Sequence, residues 1–299
     1  TTTRRQTVWQ VKVTNKATTC DADLDGLFPA SAARLSVKAV ATPASESPCT
    51  LSPEGGYRGL ENRLYRVEVH EGGTLGKARF KWSRDNASVV ARVSGLSDSP
   101  TTLEVSRIGR DAVLRFKPGD WVEVTDDQRQ LMAPDTGQAG VMAKVDKVDE
   151  ANLTITLDRA IGGAADEARH TRVIRWDQGG ANALDGDGLM TAQPGIEVEL
   201  EDGVTVRFTM APSGGPAKVG DYWVFHARTA KATVEELDEA PARGIVHRYA
   251  PLAVISDFAS RTAAPKDCRT LWPAGAPGCC TVVVRPGESI QAAIDSLPA

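Results

Sequence analysis

The stretch LYRVEVH at residues 64–70 decides the fold class, because apolar and polar side chains alternate along it. A period of two residues is the pattern of a β-strand that buries one face and exposes the other. The stretch therefore predicts a half-buried strand with two chemically different faces. The apolar face carries three side chains and the polar face another three: Tyr65, Val67 and Val69, then Arg66, Glu68 and His70.

Nine further segments show the same alternation, and Gly, Pro, Asp and Asn residues separate them. These segments are 8–13, 77–82, 89–93, 121–124, 153–157, 172–176, 196–200, 204–210 and 222–227. Before residue 291, only residues 234–240 are a candidate for a short helix or turn. Many short strands separated by turn residues are typical of sandwiches and barrels. We therefore expect a mainly β fold with two or more small sandwich-like or barrel-like lobes.

A faint internal repeat and the loop composition indicate how the chain is organised. The segment FKPGDWVEV at 116–124 is echoed by AKVGDYWVF at 217–225, and each is a Gly-Asp turn that leads into a strand. Such echoes arise by duplication or by chance, and the sequence leaves both open. We expect three parts: a first β-rich lobe at 1–160 with a polar loop insertion at about 14–52, a second β-rich lobe at 161–265, and a linker with the first turn of a β-helix at 266–299.

The last stretch, CCTVVVRPGESIQAAID at 279–295, combines a β-branched strand, a Pro-Gly turn and a short amphipathic helix. It resembles the entry to a right-handed parallel β-helix in pectate-lyase-like and tailspike proteins, in which such a helix caps the open end. Because a β-helix coil needs neighbours to bury its face, we expect further coils to follow. We therefore expect the chain, which begins without an initiator methionine, to be a fragment.

Charge and hydropathy exclude two classes of partner. The chain carries 35 basic and 39 acidic residues, a formal net charge of −4, and the two signs are mixed along it. There is no basic stripe, so we expect no nucleic-acid partner. The longest apolar runs are far shorter than the roughly 20 residues of a membrane-spanning helix, so we expect no membrane span.

Five cysteines are spread unevenly along the chain and are candidates for disulfides: Cys20, Cys49, Cys268, Cys279 and Cys280. The first two bracket the polar insertion, so the alternatives there are a bridge that closes it and two half-buried thiols. The last three suit one disulfide with a free thiol, or three ligands of a zinc site. No clear fourth ligand accompanies them, which argues against zinc.

No common catalytic motif occurs, which leaves one strand face as the candidate for chemistry. A carboxylate beside an imidazole, as in Glu68 and His70, raises the pKa of the imidazole and suits acid–base catalysis. Asp85 follows the next strand and is the third candidate. The alternative, which the pattern favours, is a salt-bridged ladder on a partly solvated face with no catalytic residue.

The segment DADLDG, which begins at Asp21, has the spaced carboxylates and the glycine that start a calcium loop, and DGDG at 185–188 is a shorter echo. Position twelve of the first loop is Ala32, where a calcium loop has a bidentate Glu. The sequence therefore favours a plain turn with no cofactor. Calcium held by Asp21, Asp23 and Asp25 is the alternative.

Five stretches together resemble a family of large bacterial proteins that is known only as a domain of unknown function. They are TVWQVKV at 7–13, GYRGLEN at 56–62, FKWSRDN at 80–86, KPGDWVE at 117–123 and GDYWV at 220–224. The resemblance implies a central segment that lies between an N-terminal piece and a C-terminal β-helix. It also implies similarity to proteins of phage tails and phage-like contractile injection particles. No catalytic residues are established for that family, so the resemblance assigns none.

From the residues and the resemblance together we expect a non-catalytic structural or recognition module of a phage-tail-like protein, either a tailspike or an injection-system-associated protein. Its expected partners are other particle proteins or a cell-surface glycan, and its expected location is on a particle or outside the cell. A homotrimer formed through the β-helix fits this function, since spikes built on β-helices are often trimers. The alternative is a scaffold or sugar-binding part of a β-helix enzyme that degrades polysaccharides.

Overall fold

The computed structural model describes residues 7–40, 55–96, 101–137, 139–161, 167–180, 182–256, 264–269, 287 and 289–295. The chain divides into two compact units. Unit 1 consists of residues 1–29 and 247–299, and unit 2 consists of residues 30–246.

Strands dominate the described part of the chain, so the fold is mainly β, as the alternation predicts. The strands are β1 (Ala33–Ala39), β2 (Arg63–Glu71), β3 (Arg79–Ser83), β4 (Val90–Leu96), β5 (Thr102–Val105), β6 (Trp121–Thr125), β7 (Val141–Asp149), β8 (Thr154–Leu157), β9 (Arg172–Trp176), β10 (Met190–Thr191), β11 (Glu197–Glu201), β12 (Val204–Met210), β13 (Tyr222–Arg228), β14 (Thr233–Val234), β15 (Leu237–Pro241), β16 (Ala253–Val254) and β17 (Lys266–Asp267). The α-helices are α1 (Leu24–Leu27), α2 (Asp127–Thr136) and α3 (Ile290–Asp295), and single 3₁₀ turns span Glu167–Arg169 and Thr229–Lys231.

Unit 2 contains a β-sandwich made of two sheets. One sheet has the strand order β11-β12-β1-β15 and the other has the order β10-β3-β2-β13-β14. The apolar faces of both sheets form one buried core, in which the Phe80 and Phe208 rings lie 4.8 Å apart and the Phe208 and Trp223 rings lie 5.7 Å apart. Tyr65, whose ring stacks on that of Phe225, is fully buried in this core, as alternation along β2 predicts.

A six-stranded closed barrel is inserted into the sandwich between β3 and β10. Its strands pair antiparallel in the order β4-β5-β8-β7-β6-β9, and β9 pairs with β4 to close the ring. Closure leaves no free sheet edge in the barrel. Fifteen buried residues fill its interior, including Leu103, Val122 and Ile155, each with no exposed surface.

The predicted lobe boundary at residue 160 differs from the division that the structure shows. β1 lies before that boundary and β12 lies after it, yet the two strands pair from Ala33↔Met210 to Ala39↔Val204. The barrel strands also lie on both sides of the boundary, since β9 closes a ring begun by β4. The sequence prediction treated neighbours along the chain as neighbours in space, whereas the sheets join distant segments.

The predicted insertion at about 14–52 contains a central strand of the sandwich. β1 lies between β12 and β15, and Leu35 and Val37 are fully buried. Its sequence, ARLSVKA, alternates like the other strands, so the local signal was present.

Three other local predictions need correction. Residues 8–13 are not in a strand, and Trp9 is 92% exposed. Residues 234–240, the helix or turn candidate, contribute to the strands β14 and β15. Helix α2 was not predicted because its sequence, DQRQLMAPDT, carries no sustained apolar stripe.

The two echoed segments form the same turn. In each, the backbone N–H of the lysine donates to the side-chain Oδ2 of the aspartate at 2.8 Å, and the backbone N–H of the aspartate donates to the backbone carbonyl of the lysine at 3.1 Å. The glycine between them has a positive φ, +92° in the first turn and +84° in the second, and its N–H donates to a neighbouring strand. The first turn leads into the barrel strand β6 and the second into the sandwich strand β13. The residues are Lys117, Gly119 and Asp120, then Lys218, Gly220 and Asp221.

Unit 1 is held by contacts of a different kind. β16 and β17 form a two-stranded ribbon, and the rings of Phe28 and Tyr249 stack with their centroids 4.9 Å apart. Lys12 Nζ lies 4.7 Å from the centre of the Phe28 ring. Among the described residues of this unit, none belongs to the buried hydrophobic core of the chain.

The predicted start of a β-helix lies mostly outside the described residues. Its strand portion, residues 279–286, is outside them, and only Gly287 and residues 289–295 are described. Helix α3 occupies the position of the expected short helix.

Candidate functional site

A buried ion pair joins the sandwich to the barrel. Strand β3 directs Phe80 and Trp82 into the sandwich core, so Lys81 between them lies on the opposite face. The barrel strand β6 covers that face with Glu123. Lys81 Nζ donates to Glu123 Oε2 at 2.5 Å, and the two side chains are only 1% and 6% exposed.

The remaining polar atoms of this pair also have partners. Glu123 Oε2 accepts a hydrogen bond from Trp176 Nε1 at 3.1 Å, and Glu123 Oε1 accepts one from the Gly140 N–H at 3.1 Å. Lys81 Nζ also lies 4.4 Å from the centre of the Trp176 ring. Burial of charge is tolerated only where such partners replace water, so this arrangement compensates the buried carboxylate and ammonium groups.

Glu68 and His70, two of the predicted catalytic residues, contact the same lysine. Lys81 Nζ lies 3.1 Å from His70 Nδ1 and 3.4 Å from Glu68 Oε1. Because an ammonium group only donates, His70 Nδ1 accepts this hydrogen bond and the imidazole is neutral. Burial, with the nearby Lys81 charge, lowers the pKa of His70 to about 2. The expected rise of its pKa beside Glu68 is therefore wrong, because desolvation outweighs the carboxylate.

Asp85, the third candidate, belongs to a separate cluster. Arg63 Nη1 donates to Asp85 Oδ1 at 2.9 Å, and Arg175 Nη2 lies 3.7 Å from Asp85 Oδ2. Arg175 in turn donates to two backbone carbonyls of the loop before β6. Among the contacts of the described residues, none joins Asp85 to Glu68 or His70. The structure thus places the three candidates in two ion-pair clusters.

The acidic segments form turns. Asp23 caps helix α1, because its Oδ1 accepts the Gly26 N–H at 3.0 Å, and Asp25 lies in the first turn of that helix. Asp185 accepts backbone N–H groups with Oδ1 and pairs with Arg79 through Oδ2. Within the described ranges, no group of three or more His, Cys, Asp or Glu side chains is arranged to hold a metal ion.

The structure pairs Cys20 with Cys268 in a disulfide, with the two Cα atoms 5.2 Å apart. The sequence left two alternatives for Cys20, a bridge to Cys49 across the polar insertion and a half-buried thiol, and the structure shows neither. Cys268 instead reaches Cys20 from the other end of unit 1. The described structure does not extend to Cys49, Cys279 or Cys280.

At least two clefts are open on the described part of unit 2. The larger, about 610 Å³, is called the barrel cleft and is lined mainly by apolar residues such as Val89, Ile108 and Phe116. The smaller, about 300 Å³, is called the hairpin cleft and lies between the loop before β2 and the turn of the β11–β12 hairpin. Neither cleft is lined by Glu68, His70, Asp85 or Lys81, so the sequence candidates do not face these cavities.

Charged side chains in ion pairs form most of the hairpin cleft. Arg58 pairs with Glu199 at 2.6 Å and Arg84 pairs with Glu201 at 2.8 Å. The Tyr65 hydroxyl donates to the other oxygen of Glu201 at 3.0 Å. Burial raises the pKa of the Glu201 carboxyl, and the charge of Arg84 opposes that rise. The arrangement offers fixed donors and acceptors to a small polar molecule.

The residues that sequence reasoning missed are Lys81, Glu123 and Trp176. A charged residue in the middle of an otherwise apolar strand, as in WVEVT at 121–125, is the one local signal for them. The barrel residues that cover Lys81 are far from it in sequence, so alternation within one strand does not predict this contact.

The described part of the chain contains no helix long and apolar enough to cross a membrane. Residues 28–254 match a family described only as a family of unknown function, DUF6519. No curated protein matches the chain, and no solved structure matches it. The family match agrees with the resemblance to a domain of unknown function, and it carries neither an activity nor an association with phage tails.

Proposed function

We propose that this chain, which belongs to the family of unknown function DUF6519, is a non-catalytic structural or recognition module of a phage-tail-like protein, of the tailspike or injection-system-associated kind. Its partners in this proposal are other particle proteins or a cell-surface glycan. In this proposal, a β-helix of the kind whose entry the C-terminal sequence resembles forms the contacts between the three copies of a homotrimer.

The buried contact between Lys81 and Glu123 is the observation that carries the proposal. It fixes the barrel to the sandwich with a pair of charges that water does not reach. Removal of either partner by mutation would leave the other charge buried and uncompensated, so the stability of the barrel and that of the sandwich are coupled at this contact. Lobes coupled in this way suit a structural part of an assembly.

The same cluster argues against catalysis by Glu68 and His70. A general base must reach the substrate and must hold a pKa near the working pH. His70 is buried, its Nδ1 accepts from Lys81, and its pKa of about 2 keeps it unprotonated at neutral pH. Glu68 is held by Arg66 at 2.7 Å as well as by Lys81. These side chains are engaged in holding the fold together.

Two further features support a particle protein outside the cell. The five stretches quoted above resemble proteins that continue into a β-helix and are similar to phage-tail components. The disulfide between Cys20 and Cys268 is of the kind that forms and persists in oxidising surroundings.

Sedimentation of the full-length protein from its native host tests the particle role. A lysate is run on a density gradient, and the protein is followed with an antibody raised against residues 30–246. We expect it in fractions that contain particles of megadalton mass, visible by negative-stain electron microscopy. A protein found only near the top of the gradient, at the mass of a free monomer, contradicts the proposal.

A polysaccharide assay tests the non-catalytic role. The chain and its Glu68→Gln/His70→Asn variant are incubated with a panel of bacterial polysaccharides, and released reducing ends are measured. We expect no release above the buffer blank from either protein. If the parent chain releases reducing ends and the variant does not, then Glu68 or His70 is catalytic. Equal release by both would place an activity elsewhere in the chain and would also overturn the proposal.

A further inference from the structure

The hairpin cleft combines small size with a charged lining that is electrically balanced. Six of its nine lining residues are charged, three basic and three acidic: Arg58, Arg63 and Arg84, then Glu61, Glu201 and Asp202. We propose that this cleft is a subsite for one neutral saccharide unit. The inference deepens the recognition role proposed above and rests on it.

Hydrogen-bonding chemistry selects the class of ligand. Guanidinium groups only donate and ionised carboxylates only accept, whereas a hydroxyl group does both. A molecule with several adjacent hydroxyls therefore accepts from Arg84 and donates to Glu201, which lie side by side on the wall. The same logic applies to Arg63 and Glu61, which are 2.9 Å apart at the rim. Alternating donors and acceptors of fixed geometry match the hydroxyls of a sugar ring.

Charge balance favours a neutral ligand over an anion. Each arginine of the cleft already contacts a carboxylate: Arg58 with Glu199, Arg63 with Glu61 and Asp85, and Arg84 with Glu201. A phosphate or a uronate would have to displace one of these carboxylates and would then leave it unpaired. The free energy lost from the broken pair would offset what the anion gains. A neutral polyol adds contacts without breaking any ion pair.

The walls of the cleft are already fixed. The Arg58 N–H donates to the Asp202 carbonyl at 2.9 Å, which ties the loop to the hairpin turn, and the Gly203 N–H donates to Glu199 Oε1 at 2.9 Å. A Cβ on Gly59 would lie 2.1 Å from the Tyr57 hydroxyl oxygen, so only glycine permits this close approach. Preorganised walls lower the ordering cost of binding a small ligand.

The volume of the hairpin cleft limits the size of the ligand. A volume of about 300 Å³ is at the lower end of the range for ligand pockets and suits a single ring. The barrel cleft is twice as large and mainly apolar, so it serves as the control site on the same protein. We expect dissociation constants on the order of 1–10 mM, because a single hexose has few atoms with which to contact the protein.

Saturation-transfer difference NMR on the 299-residue chain tests the inference. The probes are D-glucose, D-galactose, D-mannose, L-rhamnose and N-acetyl-D-glucosamine, with D-glucuronate as the charged comparison. The variants are Arg58→Gln and Asp202→Asn, the latter chosen because Asn tolerates the positive φ of +49° at that position. Arg110→Gln, in the barrel cleft, is the matched control. Thermal unfolding confirms that all variants fold.

We expect at least one neutral sugar to bind more tightly than glucuronate. Each hairpin-cleft variant should weaken that binding about fivefold, the effect of one lost hydrogen bond, while Arg110→Gln leaves it unchanged. Absence of binding by all five neutral sugars, tighter binding of glucuronate, or equal binding by Asp202→Asn and the parent would each overturn the inference. Co-sedimentation of the protein with particles is measured separately. If the protein still co-sediments with particles but binds no sugar, the saccharide subsite is wrong and the proposed particle role stands.

Discussion

Lys81 Nζ and Glu123 Oε2 lie 2.5 Å apart in the interface between the sandwich and the barrel, where Lys81 is almost wholly buried. One residue comes from β3 and the other from β6, which are separated in sequence by the first two strands of the barrel. The pair therefore forms only when the barrel is packed against the sandwich. It also explains why the predicted catalytic face is closed to substrate.

The first prediction concerns this pair. Lys81→Met should lower the free energy of unfolding by about 3–5 kcal/mol, because it leaves the Glu123 carboxylate buried without a counter-charge. Urea denaturation followed by tryptophan fluorescence measures the change. Adding Glu123→Leu to Lys81→Met should recover part of the loss, since no buried carboxylate then remains without its counter-charge, while Trp176 Nε1 and the Gly140 N–H lose their acceptor. A Lys81→Met variant as stable as the parent would contradict the assigned role.

Arg269→Gln is the matched control for that experiment. Arg269 forms an ion pair with Asp267 at 2.7 Å, but both side chains are more than half exposed. Water and salt screen an exposed pair, so we expect no measurable change in stability from this substitution.

The second prediction concerns acid sensitivity. The pKa of His70 is about 2 in the folded protein, against 6.5 when unperturbed, so the unfolded chain binds one more proton between these values. The neutral imidazole therefore contributes stability above pH 6.5 that is lost as the pH falls. Lys81, Glu68 and Glu123 lie close to it, and the charges of Arg79 and Asp187 also act on it.

Urea denaturation of the parent and of His70→Asn at pH 7 and pH 5 checks this. The parent should lose about 2 kcal/mol more than the variant on acidification, the value for one group that titrates only in the unfolded chain. Glu201, whose pKa is raised by burial, acts with the opposite sign in both proteins and cancels in the comparison. Equal losses in the two proteins would exclude a buried neutral His70.

Much of the secondary structure was predictable because alternation is a local property. Strands β2, β6, β9 and β13 lie where the period-two pattern predicts them, and the aromatic residues of β2 and β3 face the sandwich core. The partners of those strands were not predictable. The sequence of β1 does not indicate that this strand pairs with β12. The sequences of β4 to β9 do not indicate that these strands close into a ring.

The buried cluster was only half predictable for the same reason. Alternation placed His70 on the polar face of β2, where it contacts Lys81, but Lys81 itself was not among the predicted site residues. A polar face normally meets water, so the sequence favoured a solvated ladder. The barrel covers that face instead, and this depends on the fold of residues far along the chain.

The third prediction concerns the disulfide between Cys20 and Cys268. Unit 1 contributes no described residue to the buried hydrophobic core, so this covalent link adds to a small number of contacts between its two segments, such as the stacked rings of Phe28 and Tyr249. Reduction with a dithiol adds two electrons and two protons to the bond and leaves two thiols. Amide hydrogen exchange should then accelerate by about tenfold or more in residues 7–29, 247–256 and 264–269, because local opening costs less.

Residues 55–96 of unit 2 provide the internal control, since no disulfide joins them to unit 1 among the described residues. The Cys20→Ser/Cys268→Ser variant should exchange like the reduced parent and should not respond to the dithiol. Unchanged exchange in unit 1 after complete reduction, verified by mass, would show that the disulfide does not hold the unit together.

The fourth prediction concerns the two equivalent turns. Gly119→Ala and Gly220→Ala should each lower the free energy of unfolding by about 1–2 kcal/mol, because both glycines have φ near +90°, which an L-residue with a Cβ adopts only with strain. No atom lies within 4 Å of an added Cβ at either site, so strain alone sets the cost. Gly186→Ala is the matched control, since its Cβ would also meet open space and its φ is not positive. Equal stability of all three variants in urea denaturation would show that the shared turn geometry does not require glycine. A loss confined to Gly119 and Gly220 would show that the echo in the sequence reflects one backbone requirement, met once in the barrel and once in the sandwich.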